Sequence, residues 1–251
     1  MKQQGLWFGI GVLALQNLYA GTMGVVSDYW GTSKKIATVT MGPDFVYQGG
    51  SQSLTLISPF HNTYASSKQW KTVGDFGGFV GVEHAFRDWL SIQTGIAGYG
   101  NTSIGITGDV WQFGIPAFDN FTYRYEISHG RVMLSNKFLT TWTRYPGLLP
   151  YVSVELGAAF NRASGYHETP TTALAIPMAP FSSHSQTSFS WGLGVGGDYN
   201  VNERIRVGIG YQIADLGSAS LGTSPAAMTN QSLGISHLWS NQLRFQLSYI
   251  L

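Results

Sequence analysis

Three features of the sequence could do chemistry. Gly192-Leu-Gly-Val-Gly-Gly197 has the glycine spacing of a dinucleotide-binding turn, but that turn needs a strand running into a helix, and here the run continues a strand. The six histidines, His61, His84, His129, His167, His184 and His237, show no pair at the helical spacing that builds a metal site. A serine and histidine on one strand face must be two residues apart, as Ser182 and His184 are. The adjacent pairs Ser128-His129 and Ser236-His237 point to opposite faces. Ser182-His184 has no orienting acid nearby, and the chain has no cysteine, which removes thiolate catalysis, disulfides and thiolate metal ligation together. The expectation is no enzyme: no catalytic residue, no cofactor and no metal.

The remaining polar chemistry is charge placed at alternate positions of apolar segments. Asp75, Glu83, Arg124, Glu126, Glu155, Asp198, Arg204, Arg206 and Arg244 each alternate with large apolar residues. Five acids and four bases on the face opposite lipid can pair with one another, as buried charges must.

The elements carrying them read as strands. Val152, Val154, Leu156, Ala158 and Phe160 alternate with small or polar residues, and Phe189, Trp191, Leu193, Val195, Tyr199 and Val201 do the same. Ile205 to Ile213 forms a hairpin with the preceding segment. Leu243, Phe245, Leu247, Tyr249 and Leu251 alternate in the final strand, where only Ile250 is out of phase. Further strands are expected around Ala37 to Tyr47, Phe76 to Phe86, Leu90 to Ile96, and Phe121 to Phe138. In the last of these, Phe121, Tyr123, Tyr125 and Ile127 share a face with Val132, Leu134 and Phe138 only if a bulge sits near His129-Gly130.

Connections alternate short (86–89, 143–150, 201–204) and long (48–68, 99–119, 163–185, 217–236). That asymmetry predicts an all-β fold: an eight-stranded antiparallel up-and-down transmembrane β-barrel preceded by an N-terminal signal-peptide helix. Trp89, Trp142, Tyr145, Tyr199 and Tyr249 lie near the short turns and form the periplasmic aromatic girdle. A soluble sandwich would carry Lys, Glu and Asp on its polar faces, whereas here Gly and Ser dominate, as the lining of a narrow barrel requires.

Composition agrees. Charged residues make up 11% of the 251, aromatics 14%, and there are 32 glycines. Met1-Lys2-Gln3-Gln4, the apolar Gly5 to Leu15 and the small Ala20-Gly21 read as a signal peptide cleaved near Ala20, so the division expected is 1–20 signal peptide, 21–34 periplasmic lead-in and 35–251 barrel. Without Lys2 the chain carries 13 basic and 13 acidic residues, a balance that argues against nucleic-acid binding.

The chain also resembles the porin-family outer-membrane β-barrel proteins of intracellular gammaproteobacteria, within the small OmpA-like barrel superfamily. The likeness rests on Tyr19 to Gly24, Phe118 to Tyr125, Gly208 to Asp215 and Ser236 to Asn241, in that order. It implies location and architecture more than activity. The resemblance also implies a C-terminal assembly signal, carried here by Leu243, Phe245, Leu247, Tyr249 and Leu251, although the final aromatic residue common in such barrels is replaced by Leu251. The expected partners are outer-membrane lipids and lipopolysaccharide, the barrel-assembly machinery during biogenesis, and a host or surface ligand. The expected role is structural or surface-interacting, carried by long extracellular loops. A narrow channel or carrier for small solutes is the alternative, and a lipid A-modifying hydrolase a more distant one.

Overall fold

In the computed structural model, residues 33–57, 59–142, 144–145, 147–177, 181–223 and 231–251 are described. The expected signal peptide, its cleavage point and most of the lead-in lie outside them. The strands are β1 (Ser33–Ile57), β2 (Phe60–Arg87), β3 (Leu90–Asn101), β4 (Ile104–Trp111), β5 (Asp119–Thr140), β6 (Leu148–Pro170), β7 (Phe181–Ser182), β8 (His184–Asn200), β9 (Ile205–Asp215), β10 (Ala219–Ser220), β11 (Gly222–Thr223), β12 (Gly234–Ile235) and β13 (Trp239–Ile250).

Eight of these close a ring in the order β1-β13-β9-β8-β6-β5-β3-β2, all antiparallel, with β1 returning to β2. The β4 strand continues β3 in the same direction. It lies between β2 and β5 after a break at Thr102-Ser103, where the Thr102 amide donates to the Gly74 carbonyl at 3.0 Å.

The register fixes the shape. One row of facing residues runs Trp70, Tyr47, Trp239, Asp215, Trp191, Leu156, Leu134, Ile96 and returns to β2 at Val80, ten residues beyond its start. A stagger of ten over eight strands tilts the strands roughly 40° and gives a backbone cylinder roughly 16 Å across. An outward apolar belt follows, including Val39, Met41, Val80, Ile96, Leu134, Val154, Leu193, Ile209 and Leu247, all at least a third exposed. About ten tilted residues per strand span a bilayer core.

The strands are longer than the alternation alone suggests. Segments 48–68, 99–119 and 163–185, expected as loops, are largely paired: β1 and β2 stay in register to Ile57↔Phe60, and β6 to Pro170. Above the belt their outer faces carry Ser, Thr, Gly and Asn, which reads as loop although the backbone groups still pair with one another.

The bulge expected at His129-Gly130 is absent. In β5 the odd-numbered residues face inward from Phe121 to Leu139 without interruption. What changes along β5 is the polarity of the inner face, which is charged low in the barrel and apolar above it. Tyr123, Tyr125 and Ile127 point inward into an apolar core shared with Val46, Leu54, Tyr64, Phe181 and the 216–238 segment, whose Leu216, Ala219, Leu221, Leu233 and Leu238 are buried. Ile250, out of phase for an outward residue, is one of the inward-facing set and packs with Ile36, Phe79, Ala97, Tyr99 and Met133.

The glycine run at 192–197 lies wholly within β8, a strand interior with no helix after it. Inward glycines make room for larger neighbours. A Cβ on Gly210 would sit 2.0 Å from the Tyr151 hydroxyl, and one on Gly196 would sit 2.6 Å from it. Gly210→Ala is therefore expected to destabilise the barrel by about 1–3 kcal/mol. In a Tyr151→Phe background the same change should cost less, and reversible urea unfolding in lipid vesicles measures that coupling.

Candidate functional site

The lumen is the first candidate site, and within the membrane belt it is filled. Near its upper level, Tyr99 lies between two guanidinium groups, Arg244 at 4.1 Å and Arg131 at 4.5 Å from its ring centre. Its hydroxyl donates to Glu155 at 2.6 Å and accepts from Arg244 at 3.1 Å. Gln242 accepts from both Arg131 and Arg244, at 2.7 and 2.6 Å, and turns its amide to Asp44. Ser240 also donates to Asp44, Gln212 donates to Glu155 at 2.8 Å, and Asp75 lies 3.8 Å from Arg244.

Lower down, Lys137 bonds Asp198 at 3.2 Å and Gln246 at 2.6 Å, above the Tyr151 ring at 4.1 Å. At the end that carries the short turns Arg206 grips Glu83 through both terminal nitrogens, at 2.7 and 3.2 Å, and Gln93 donates to the same carboxylate. The cavity left between Lys137, Glu155, Arg244 and their neighbours is about 30 Å³, room for about one water.

Of the nine charges expected inside, Asp75, Glu83, Glu155, Asp198, Arg206 and Arg244 lie in the lumen. Arg124 and Glu126 do not. They pair with each other at 2.9 Å on the exposed face of β5, because the missing bulge leaves even-numbered residues outward. Arg204 is exposed in the β8–β9 turn, one residue before the strand begins. Their places are taken by Asp44, Arg131 and Lys137, so within the belt the lumen again holds five acids and four bases, while Glu168 is buried above it. Asp44 alternates with Thr38 and Thr40 and was recoverable from that pattern. Arg131 and Lys137 required the unbroken phase of β5.

Trp89, Trp142, Tyr145, Tyr199 and Tyr249 are each about half exposed near the short turns, and Trp142 packs edge-on against Tyr145 at 5.7 Å. Leu243, Phe245, Leu247, Tyr249 and Leu251 occupy the outer side of β13 and its end, where the Leu251 amide donates to the Lys35 carbonyl at 2.8 Å. A second aromatic group marks the upper edge of the belt: Tyr47 against Trp70 at 5.0 Å and Trp191 against Trp239 at 5.8 Å. These are the boundary rings of a membrane barrel.

A family model described as outer membrane protein beta-barrel domain matches residues 46–250. The chain belongs to this family. It is an outer-membrane β-barrel. No curated protein matches it in sequence. Among solved structures, OprG from Pseudomonas aeruginosa is 15% identical with a TM-score of 0.45, covering 87% of this chain and 97% of that one. The outer-membrane protease OmpT from Escherichia coli is 8% identical with a TM-score of 0.42 over the same shares. Neisserial surface protein A is 13% identical with a TM-score of 0.36, covering 85% and 96%.

Several of the serines and histidines considered as hydrolytic candidates have partners in the structure. Ser182 donates its hydroxyl to the Thr223 carbonyl at 3.0 Å, and His184 is carried in β8 opposite Ala163. His237 bonds Asp215 at 2.7 Å, and its ring stacks on Trp239. His129 bonds Asn161, which holds the 216–238 segment through the Leu216 and Ser218 carbonyls at 2.9 and 2.8 Å. Among the described residues no group of three His, Asp or Glu could hold a metal. Above the belt, burial pushes the Tyr123 phenol up to about 12 and Tyr64 and Tyr125 higher still, so all three remain protonated.

The luminal network yields a stability prediction. Arg244→Met leaves Glu155 and Asp75 buried without their shared cation, an effect on the order of 3–5 kcal/mol. Adding Glu155→Gln should recover part of that loss in the same urea assay; fully additive losses would show that the two side chains are not coupled.

Proposed function

We propose that this outer-membrane barrel is non-enzymatic and that its specificity lies at the outward tip of its wall. The observation that carries this reading is an exposed aromatic cluster at the end farthest from the periplasm. Phe60 meets Phe113 edge-on at 5.4 Å and Phe113 meets Phe118 at 6.1 Å, and all three stay about half exposed beside Ile115.

The cluster is held there by unusual backbone. Phe113 has φ 56°, the single non-glycine residue at positive φ among those described, and Gly114 follows at φ 68°. A Cβ on Gly114 would lie 2.3 Å from the His61 ring, so this turn is pressed against the β1–β2 hairpin. Strain that keeps a large ring in water is a signature of an interaction site. Covering the exposed half of each ring releases about 1 kcal/mol, enough together for a weak, multivalent contact with an apolar or aromatic partner surface.

The filled lumen supports the same reading from the other side. A solute path would have to disrupt three tiers of charge-assisted bonds and then the apolar core above them. In planar bilayers the protein is expected to show no regular open events, and frequent, uniform openings would favour a channel instead. Cells displaying Phe60→Ser/Phe113→Ser/Phe118→Ser are expected to adhere several-fold less to epithelial monolayers than cells displaying equal amounts of the parent protein. Unchanged adhesion would remove the tip from the account.

A further inference from the structure

The tip carries a second exposed apolar element beside the phenylalanine cluster. Beyond the end of β6 at Pro170, residues 171–177 turn over the upper core. The Thr171 amide donates to the Asn120 carbonyl at 2.9 Å and its hydroxyl to the Asp119 carbonyl at 2.8 Å, which seats this segment beside the residue that follows Phe118. A turn comes next, closed by the Ala175 amide on the Thr172 carbonyl at 3.2 Å. Within it the side chains are placed in the reverse of the order that burial favours. Ala175 packs against the upper core, while Leu174 and Ile176 on either side are 95% and 82% exposed.

Two large aliphatic side chains held in water forgo a burial that the packed alanine does not replace. With Phe60, Phe113, Ile115 and Phe118 they make an apolar tip on neighbouring loops. No Asp, Glu, Lys or Arg occurs in 110–118 or in 171–177. Below the tip, the first charged side chains along β4, β5 and β6 are Asp109, Asp119 and Glu168, all acids, and His61 on β2 lies under the Gly114 turn.

We infer that the tip inserts into the interface of a facing zwitterionic bilayer, Leu174 and Ile176 entering beside the three phenylalanines. This rests on the reading of the tip as the contact surface and names its partner. Side chains this exposed protrude, and they stand on separate loops. A protein pocket shaped for one loop leaves the other in water, whereas a fluid bilayer closes around both. Phe and Leu are the side chains that membrane-surface elements bury at the headgroup boundary, and here their burial strips no charged group of water. The acids below the tip set the charge class of the surface. They meet repulsion from anionic headgroups within a Debye length and none from zwitterionic ones.

The test holds the full-length barrel in a phosphatidylcholine nanodisc, which leaves the tip free, and measures co-flotation with vesicles; empty nanodiscs set the background. Phosphatidylcholine vesicles should bind with a partition constant of about 10³ M⁻¹ or higher, roughly a tenth of that of a single myristoyl chain. Vesicles of equal parts phosphatidylcholine and phosphatidylglycerol should bind at least about threefold less, a gap that closes in high salt. Leu174→Ser/Ile176→Ser changes two exposed side chains, so it should keep the heat-dependent gel shift of the folded barrel and lose at least about fivefold in binding. The inference is overturned if the parent floats no better than empty nanodiscs, if the anionic vesicles bind as well, or if the folded variant floats like the parent. Cell adhesion separates it from the reading it rests on. Should the phenylalanine variant lose adhesion while the parent fails to float, the bilayer inference alone falls and the tip has a protein or glycan partner. Should the parent float and the phenylalanine variant still adhere, the adhesion reading alone falls.

Discussion

The pairing of β1 with β13 is the interaction on which the rest of the structure depends. A sheet crossing a hydrocarbon layer cannot keep an open edge, because each unpaired amide or carbonyl costs several kcal/mol there. Ten facing pairs from Ile36↔Ile250 to Tyr47↔Trp239 close that edge. Closure with a stagger of ten sets the tilt, and the tilt sets the bore. A cylinder roughly 16 Å across has room for one layer of side chains from each wall and little else. Small residues on the inner face follow from that dimension, as where Gly196 and Gly210 accommodate Tyr151.

A narrow bore also decides the electrostatics. Polar side chains that face inward in the belt are out of bulk water, so their charges persist only by compensating one another. The arrangement distributes that compensation: Arg244 serves Glu155, Asp75, Gln242 and the Tyr99 face at once, while Arg206 and Lys137 each hold one carboxylate lower down. Isolated pairs would leave lone pairs and N–H groups unmet. A shared network meets most of them, and in doing so it leaves a cavity of only about 30 Å³ at its centre.

How much of this was legible in the sequence depended on height in the barrel. In the belt the outward residues must be apolar and the inward ones small or polar, so alternation in β8, β9 and β13 reveals both the strands and their orientation. Asp198, Arg206 and Arg244 could be placed from phase alone. Above the belt, lipid gives way to water and the rule reverses: Tyr123, Tyr125 and Ile127 are inward, while Arg124 and Glu126 face out. A pattern search that assumes apolar-out throughout must insert a bulge to reconcile the two zones. It thereby loses Arg131, which stands two residues beyond the supposed break. Strand length was hidden for a related reason. A wall segment with water outside needs no apolar residues on its outer face, so the upper parts of β1, β2 and β6 resemble loops.

That reversal also separates the membrane-spanning part of the protein from the part that meets the outside. The charged tiers are held by side chains from β1, β2, β3, β5, β6, β8, β9 and β13, so altering one perturbs the whole ring. The upper core depends instead on β4, the hairpins and the 216–238 segment, fastened by Asn161, Gln186 and Gln52. Its outer surfaces can therefore vary without disturbing closure, provided these fastenings remain. The left-handed Phe113 turn occurs in this upper region, and no described non-glycine residue of the belt has positive φ. In the belt every inward group is committed to filling the bore, and a backbone distortion would expose unpaired amides to lipid. Above it, water satisfies whatever the wall does not, and the chain is free to hold an aromatic ring in solvent on a left-handed turn.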